Sequence, residues 1–207
     1  MRKMVLAGIM VGALAAWLGS GFAQGGQGQA GQEGQAKKAG KAGKKAADQS
    51  FVMEAAAGGL MEVELGRMAA NQASNDEVKK FGQRMVDDHS KANSELSSLA
   101  EKKNITLPKE LDKKGQAARD HLAKLKGAEF DKAYMQHMVA DHAKDVASFR
   151  RESKTGTDPD IKAWAEQTLP VLQEHLKQAK QVASSVGASP GGAKPGKKSE
   201  KGESDKK

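Results

Sequence analysis

The chain has 207 residues, no cysteine and a formal net charge of +8 at pH 7. The absence of cysteine excludes disulfides and a lipid-modified N-terminal cysteine. Residues 1–23 carry +2, residues 24–49 carry +3 and residues 187–207 carry +3, whereas residues 50–186 hold 21 basic and 21 acidic side chains. The central region is therefore neutral, and the net charge does not indicate a nucleic-acid-binding domain.

The first 23 residues have the pattern of an export signal. Arg2 and Lys3 precede an apolar run over residues 5–18, and small residues at 21–23 predict cleavage after Ala23. This run is shorter than the roughly 20 residues that a membrane-spanning helix needs. We therefore expect an exported protein, periplasmic or associated with the outer membrane, without a transmembrane segment after signal cleavage.

Two segments that flank the neutral region are rich in glycine and lysine. Residues 24–49 combine these with glutamine and alanine, and residues 187–207 combine them with proline and serine. With little apolar surface to bury, both segments are predicted to be disordered. Their lysines suit anionic lipid or cell-wall polymers as partners, and the alternative is a solubilising spacer. Export argues against nucleic acid as the partner.

Residues 50–186 are predicted to form one all-α domain, because apolar residues recur there at helical spacing. Four long helices are expected, over residues 50–71, 74–102, 128–153 and 158–186. The link over residues 103–127 should contain a short helix that Pro108 opens. A single long crossover between the second and third long helices predicts a ferritin-like four-helix bundle.

Polar residues mark the expected starts of three helices. Asp48 or Ser50 is predicted to cap the first helix. Ser74 and Glu77 have the spacing of a capping box at the start of the second. Asp158, which precedes a proline at the first helical position, is expected to cap the fourth.

A short motif that ends in histidine recurs along the chain. Residues 85–89 (MVDDH) return 53 residues later as residues 138–142 (MVADH), and residues 172–175 (LQEH) form a shorter version. Each histidine follows an acidic residue and lies on the apolar face of its helix. A titratable imidazole on that face usually has a ligand or a hydrogen-bond partner.

These histidines predict a candidate metal site. His89, His142 and His175 lie near the middle of their helices, as does Glu62 on the first helix, with Glu64 as the alternative. Side chains at mid-helix meet at one height in a bundle, and this set suits one ion of zinc, iron, copper or manganese.

A buried polar network is the alternative interpretation of the same residues. In that case the histidines, acids and Tyr134 would satisfy one another and fix the helix register. Asp88 and Asp141 point about 100° away from the histidine that follows each of them. They are expected to orient an imidazole on an adjacent helix.

Residues 51–187 resemble a bacterial family of exported proteins catalogued as domain of unknown function 4142. The resemblance is carried by residues 56–66 and 85–89, by Phe130-Asp131 with Asp141-His142, and by Leu169-Pro170 with His175-Leu176. It implies a ferritin-like bundle and export, and it implies no activity.

The di-iron pattern of ferritin-like enzymes is absent from this chain. That pattern needs a glutamate three residues before a histidine, and these positions hold Val86, Val139 and Leu172. The favoured function is therefore a non-enzymatic binding or stress-related protein of the cell envelope. The alternatives are a metal-dependent redox enzyme of the periplasm and a structural module tethered by its basic arms.

Overall fold

The computed structural model describes residues 29–188, with side chains from Lys45 onward. These residues form five helices and no strand, which confirms the all-helical prediction and is compatible with a helical bundle. The helices are α1 (Gln29–Gln72), α2 (Asp76–Lys103), α3 (Lys113–Leu122), α4 (Gly127–Thr155) and α5 (Pro159–Ser185).

The chain divides into two compact units, Met1–Lys38 and Ala39–Lys207. Of the first unit, the structure describes the helical backbone of residues 29–38. The second unit contains all the side chains discussed below. The predicted signal peptide, residues 1–23, and residues 189–207 of the predicted C-terminal tail lie outside the described residues.

Helix α1 begins at Gln29 and not at Ser50. Most of the segment predicted to be disordered, residues 24–49, is therefore helical. Alanine, glutamine and lysine, which dominate this segment, all have high helix propensity. Their combined preference for the helix exceeds the unfavourable contribution of the glycines. The prediction that Asp48 caps the helix was also wrong. Asp48 is a buried residue within α1, and its carboxylate accepts hydrogen bonds from Thr157 and Asp158 at the start of α5.

The start of α2 differs from its prediction by one residue. Asn75, and not Ser74, is the N-cap, and its side chain accepts from the backbone N–H groups of Glu77 and Val78. The backbone N–H and hydroxyl of Ser74 instead donate to Asp131 on α4. Ser74 is therefore held by the Asp131 carboxylate, and it does not form the predicted capping box with Glu77.

Helix α3 begins at Lys113 rather than at Pro108. Asp112 is its N-cap, and the carboxylate accepts from the Gly115 N–H at 2.7 Å. An N-cap side chain satisfies a free amide, which a proline cannot do. At the start of α5, the predicted cap is confirmed, since Asp158 accepts from the N–H groups of Asp160 and Ile161.

Two clusters of buried apolar side chains form the core, and the histidines lie between them. Along α2, Met85 belongs to the first cluster and Leu96 to the second, with His89 between them. The same order recurs along α4 and α5, as Met138, His142 and Val146 and as Ala179, His175 and Leu172. His89, His142 and His175, with Glu62 beside them, therefore form a layer of polar side chains between the two apolar clusters, here called the polar layer.

Helices α1 and α2 approach each other closely at two glycines. A Cβ added to Gly66 would lie 2.8 Å from the Gly82 carbonyl oxygen, and one added to Gly82 would lie 2.7 Å from the Ala69 Cβ. Both distances are too short for a side chain, so the approach requires glycine on both helices.

Among the described helices, none combines the length and apolarity that crossing a membrane requires.

Candidate metal centre

Three imidazole rings meet in the polar layer, one each from α2, α4 and α5. His89 is 5% exposed, His142 0% and His175 1%. The ring centroids of the three pairs are 5.2, 5.3 and 5.6 Å apart. One nitrogen from each ring lies within 4.8 Å of the other two. The structure therefore brings together the three histidines that the sequence predicted to meet.

The His142 ring is held by its own helix. Its Nδ1 lies 3.0 Å from the carbonyl oxygen of Met138. Because a carbonyl oxygen only accepts, Nδ1 must carry the proton, and the lone pair of the neutral ring is on Nε2.

Carboxylates hold the other two rings. His89 Nδ1 lies 2.9 Å from Glu62 Oε2, and His175 Nε2 lies 2.7 Å from Asp88 Oδ2. Asp88 is in turn 3.1 Å from Arg84 Nε. The prediction that Asp88 orients a histidine on another helix is thus confirmed. An acceptor on one ring nitrogen fixes the tautomer and leaves the lone pair on the other nitrogen.

The second nitrogen of each ring has no hydrogen-bond partner among the described residues. These atoms are His89 Nε2, His142 Nε2 and His175 Nδ1. Glu62 Oε1 and the Tyr134 hydroxyl also lack a hydrogen-bond partner among the described residues. His142 Nε2 lies 3.3 Å from Glu62 Oε1, but the two atoms lack hydrogen-bond geometry. Buried polar atoms are rarely left unpaired. The network of side chains, which is the alternative interpretation of the sequence, leaves the three ring nitrogens without a hydrogen bond.

Burial keeps the three imidazoles neutral at physiological pH. It lowers the pKa of His89 to about 4 and that of His175 to about 3. It also lowers the pKa of His142, partly opposed by the neighbouring Glu62. A neutral imidazole is the form that binds a metal ion.

The structure distinguishes between the two glutamates of α1. Glu62 is 2% exposed and contacts two histidines, whereas Glu64 is half-buried and lines a separate surface groove with Arg67. Burial raises the pKa of Glu62 to about 7, against the opposing effect of His142. Glu62 is thus the glutamate within the polar layer.

Asp145 was not identified from the sequence. It forms an acidic cluster with Glu62 and Asp141, and one carboxylate oxygen from each lies within 4.8 Å of the others. Burial, followed by the charges of Glu62 and Asp141, raises the pKa of Asp145 to about 8. The prediction that Asp141 orients a histidine is wrong, since among the described residues its hydrogen bond and ion pair are both to Lys114, with Oδ1 2.8 Å from Nζ. The signal was present, because residues three and four apart share a helix face and Asp145 follows His142 by three.

Three neutral imidazole nitrogens suit a borderline divalent ion such as Zn²⁺ or Cu²⁺. Ligand nitrogens at about 2.1 Å from a tetrahedral ion are roughly 3.4 Å apart, so small ring rotations bring nitrogens within 4.8 Å to coordinating distance. Three protein ligands leave a fourth position for Glu62 Oε1, a water molecule or a small ligand. The residues therefore fit an ion of this class.

A protein-family model described as "Domain of unknown function (DUF4142)" matches residues 33–182. The match confirms the resemblance inferred from the motifs and includes every residue of the polar layer. No curated protein and no solved structure matches the chain.

Proposed function

We infer that this chain, which belongs to the DUF4142 family, is a helical metal-binding protein. Its proposed site holds one divalent transition-metal ion on His89, His142 and His175, with Glu62 and Asp88 orienting two of the rings. Glu62 was predicted as a ligand. Its position 2.9 Å from His89 Nδ1 favours the orienting role, while its second oxygen can still supply a fourth ligand.

One observation carries this proposal, namely the three unpartnered nitrogens on neighbouring buried rings. Each nitrogen is left without a partner in a layer where the opposite nitrogen of the same ring is bound to a carboxylate or carbonyl. Burying an unpaired polar group costs about 1–3 kcal/mol. Three such groups on neighbouring rings are expensive unless a ligand satisfies them together.

The surroundings of the site support binding rather than turnover. The nearest cavity is small, about 20 Å³, which is space for about one water molecule. A substrate of several atoms would need the helices to separate. We therefore propose storage, buffering or sensing of a metal ion, and we do not propose a redox reaction.

Export and a ferritin-like topology complete the proposal. They rest on the signal-like residues 1–23 and on the long connection between α2 and α4, which contains α3. The cell envelope would then supply the metal ion, and the basic segments at both ends would hold the protein near anionic lipid or wall polymers.

Binding to anionic vesicles tests the role of the C-terminal segment. Deletion of residues 189–207 should weaken this binding, and unchanged binding would exclude a role for the segment.

Metal analysis of the purified full chain tests the proposal. After dialysis against Zn²⁺ and removal of free metal, we expect inductively coupled plasma mass spectrometry to find one zinc ion per chain. The triple variant of His89, His142 and His175 to alanine should retain less than about a tenth of that metal.

His137→Ala provides the matched control. His137 is on α4, half-buried, and its Nε2 also lacks a partner, but its ring is outside the polar layer. This variant should bind zinc like the wild type. Wild-type protein that retains no zinc, copper or cobalt would overturn the proposal, as would equal loss of metal in His137→Ala and the triple variant.

A further inference from the structure

The polar layer adjoins two cavities that have four lining residues in common. A larger cavity of about 390 Å³, here called the vestibule, lies between α1, the start of α3 and α4. The inner cavity of about 20 Å³ is lined by Glu62 and His89. Both are lined by Ala55, Gly58, Asp145 and Phe149. The vestibule is therefore separated from the metal centre by a single layer of residues, here called the neck.

Two adjacent glycines of α1 have opposite surroundings. A Cβ added to Gly58, in the neck, would meet no atom within 4 Å. A Cβ added to Gly59 would lie 2.0 Å from Asn93 Oδ1. Asn93 also lines a third cavity of about 330 Å³ on the other side of the inner cavity. The wall of the inner cavity is thus tightly packed at Asn93 and Gly59, whereas at Gly58 it has open space.

The vestibule has an excess of negative groups. Glu54, Asp112 and Asp141 contribute three carboxylates to its lining, and Lys114 and Lys144 contribute two ammonium groups. Asp145 adds a carboxyl group that is mostly protonated, because burial raises its pKa to about 8. Lys114 Nζ lies 2.8 Å from Asp141 Oδ1 and is attached to a side chain that is 56% exposed. The ammonium group of an exposed side chain therefore occupies the position that an incoming cation would take on Asp141. A negative cleft raises the local concentration and the association rate of cations.

We propose that the vestibule and the neck are the entry route for the divalent metal ion. In this route Asp145 passes the ion between the two cavities, Gly58 leaves the opening, and Lys114 competes with the ion for the acidic cluster. The route deepens the proposed function and rests on it.

Uptake kinetics test the route separately from the site. Metal-free full-length protein is mixed with Co²⁺, and the visible absorption of the histidine-bound ion is followed by stopped flow. Gly58→Leu and Asp145→Asn should each slow uptake by about tenfold or more, because one fills the neck and the other removes its carboxyl group. The equilibrium affinity of Gly58→Leu for Co²⁺ should stay within about threefold of the wild type, since Gly58 carries no ligand group.

Lys114→Met should have the opposite effect and accelerate uptake, because the competing ammonium group is lost. Ser97→Leu is the matched control, because Ser97 is an exposed residue that lines the cavity beyond Asn93 and not the vestibule. Its uptake rate should equal that of the wild type. Gly58→Ala, which adds one methyl group to open space, serves as the variant that must fold if Gly58→Leu does not, and it should slow uptake measurably.

Equal uptake rates in the wild type, Gly58→Ala and Asp145→Asn would overturn the route while leaving the metal site intact. Slow uptake in Ser97→Leu would place the entry at the opposite cavity and would also overturn it. Wild-type protein that never develops the Co²⁺ absorption would overturn the proposed function itself, and the route with it.

Discussion

The buried carboxylates of Asp131 and Asp48 differ from that of Glu62 in what their oxygens contact. Asp131 and Asp48 each bind an interhelical loop, Asp131 through Ser74 and Asn75, and Asp48 through Thr157 and Asp158. Both oxygens of each carboxylate have partners. Glu62, in the polar layer, has one oxygen on His89 and the other 3.3 Å from His142 Nε2 without a hydrogen bond, and its carboxyl group belongs to the acidic cluster with Asp141 and Asp145.

The comparison separates carboxylates that fix a loop from the carboxylate of the proposed metal site. Asp131 and Asp48 receive several hydrogen bonds from one segment, which is how a loop is fixed in place. Each imidazole of the polar layer instead has one nitrogen on a carboxylate or a carbonyl oxygen and the other without a hydrogen-bond partner. The proposed metal ion would bind these second nitrogens.

The largest expected effect is the loss of a loop contact. Asp131→Ala removes the acceptor of the Ser74 N–H, the Ser74 hydroxyl and the Asn75 N–H. Hydrogen bonds to charged groups contribute about 1.5–3 kcal/mol each. Ser74 is exposed and Asn75 is half-buried, so their freed donors can bind water, and the free energy of unfolding should fall by about 3 kcal/mol in all. Urea denaturation measures this fall. Asp87→Ala, which loses one exposed contact to Gln83, should change stability by less than about 0.5 kcal/mol. A similar loss in both variants would contradict the structural role of Asp131.

The next effect comes from the metal ion. A ligand that binds only the folded state at 100 times its dissociation constant stabilises that state by about 2.7 kcal/mol. Thermal unfolding of the metal-free protein should therefore shift upward on addition of Zn²⁺, and the shift should be absent in the triple histidine variant. An equal shift in that variant would assign the effect to surface acids.

A smaller effect of opposite sign is expected for His142→Leu in the metal-free protein. The His142 Nδ1 contact is to a carbonyl within its own helix, and Nε2 has no partner. Leucine of similar volume removes the unpartnered nitrogen and leaves no new unpaired side chain. Stability should rise by about 1 kcal/mol, while zinc binding should weaken. Destabilisation like that of Asp131→Ala would show that the ring belongs to a satisfied network.

The smallest effect is the acid dependence of the Asp48 contact. Burial raises the pKa of Asp48, but hydrogen bonds from Thr157 and Asp158 outweigh it and lower the pKa below 3.8. Because the folded-state pKa is depressed, the stabilisation is present above pH 3.8 and is lost as the pH falls through the folded value. Glu152, which is hydrogen-bonded to Asp48 and has a pKa of about 6, titrates at higher pH. The stability difference between the wild type and Asp48→Asn should therefore shrink as the pH falls below about 3.8, where Glu152 is already protonated. A difference that grows below pH 3.8 would contradict this sign.

Helical periodicity predicted most of the fold. It gave α2, α4 and α5 to within two or three residues and placed the three histidines at one height, because apolar spacing fixes which face each helix buries. It could not give the start of α1, since the propensity of alanine and lysine competes there with a composition typical of disorder. The role of Asp131 was also beyond reach, because a carboxylate that binds a loop 57 residues away leaves no local pattern.

The candidate site was predicted in part. The histidines were identified because they interrupt apolar stripes. Asp145 was missed because it lies beside the stripe of α4, where an acidic residue usually faces solvent. The choice between Glu62 and Glu64 needed the three-dimensional position of α1, because its buried face is wide enough to include either residue.

X-ray absorption spectroscopy of the zinc-loaded full chain tests the central claim most directly. The three-histidine centre predicts three imidazole nitrogens at about 2.0–2.1 Å from the ion, with one further light-atom ligand. In His142→Leu the imidazole contribution should fall by about a third, or the ion should be lost. A shell of oxygen ligands alone, or an imidazole signal unchanged in His142→Leu, would contradict the claim.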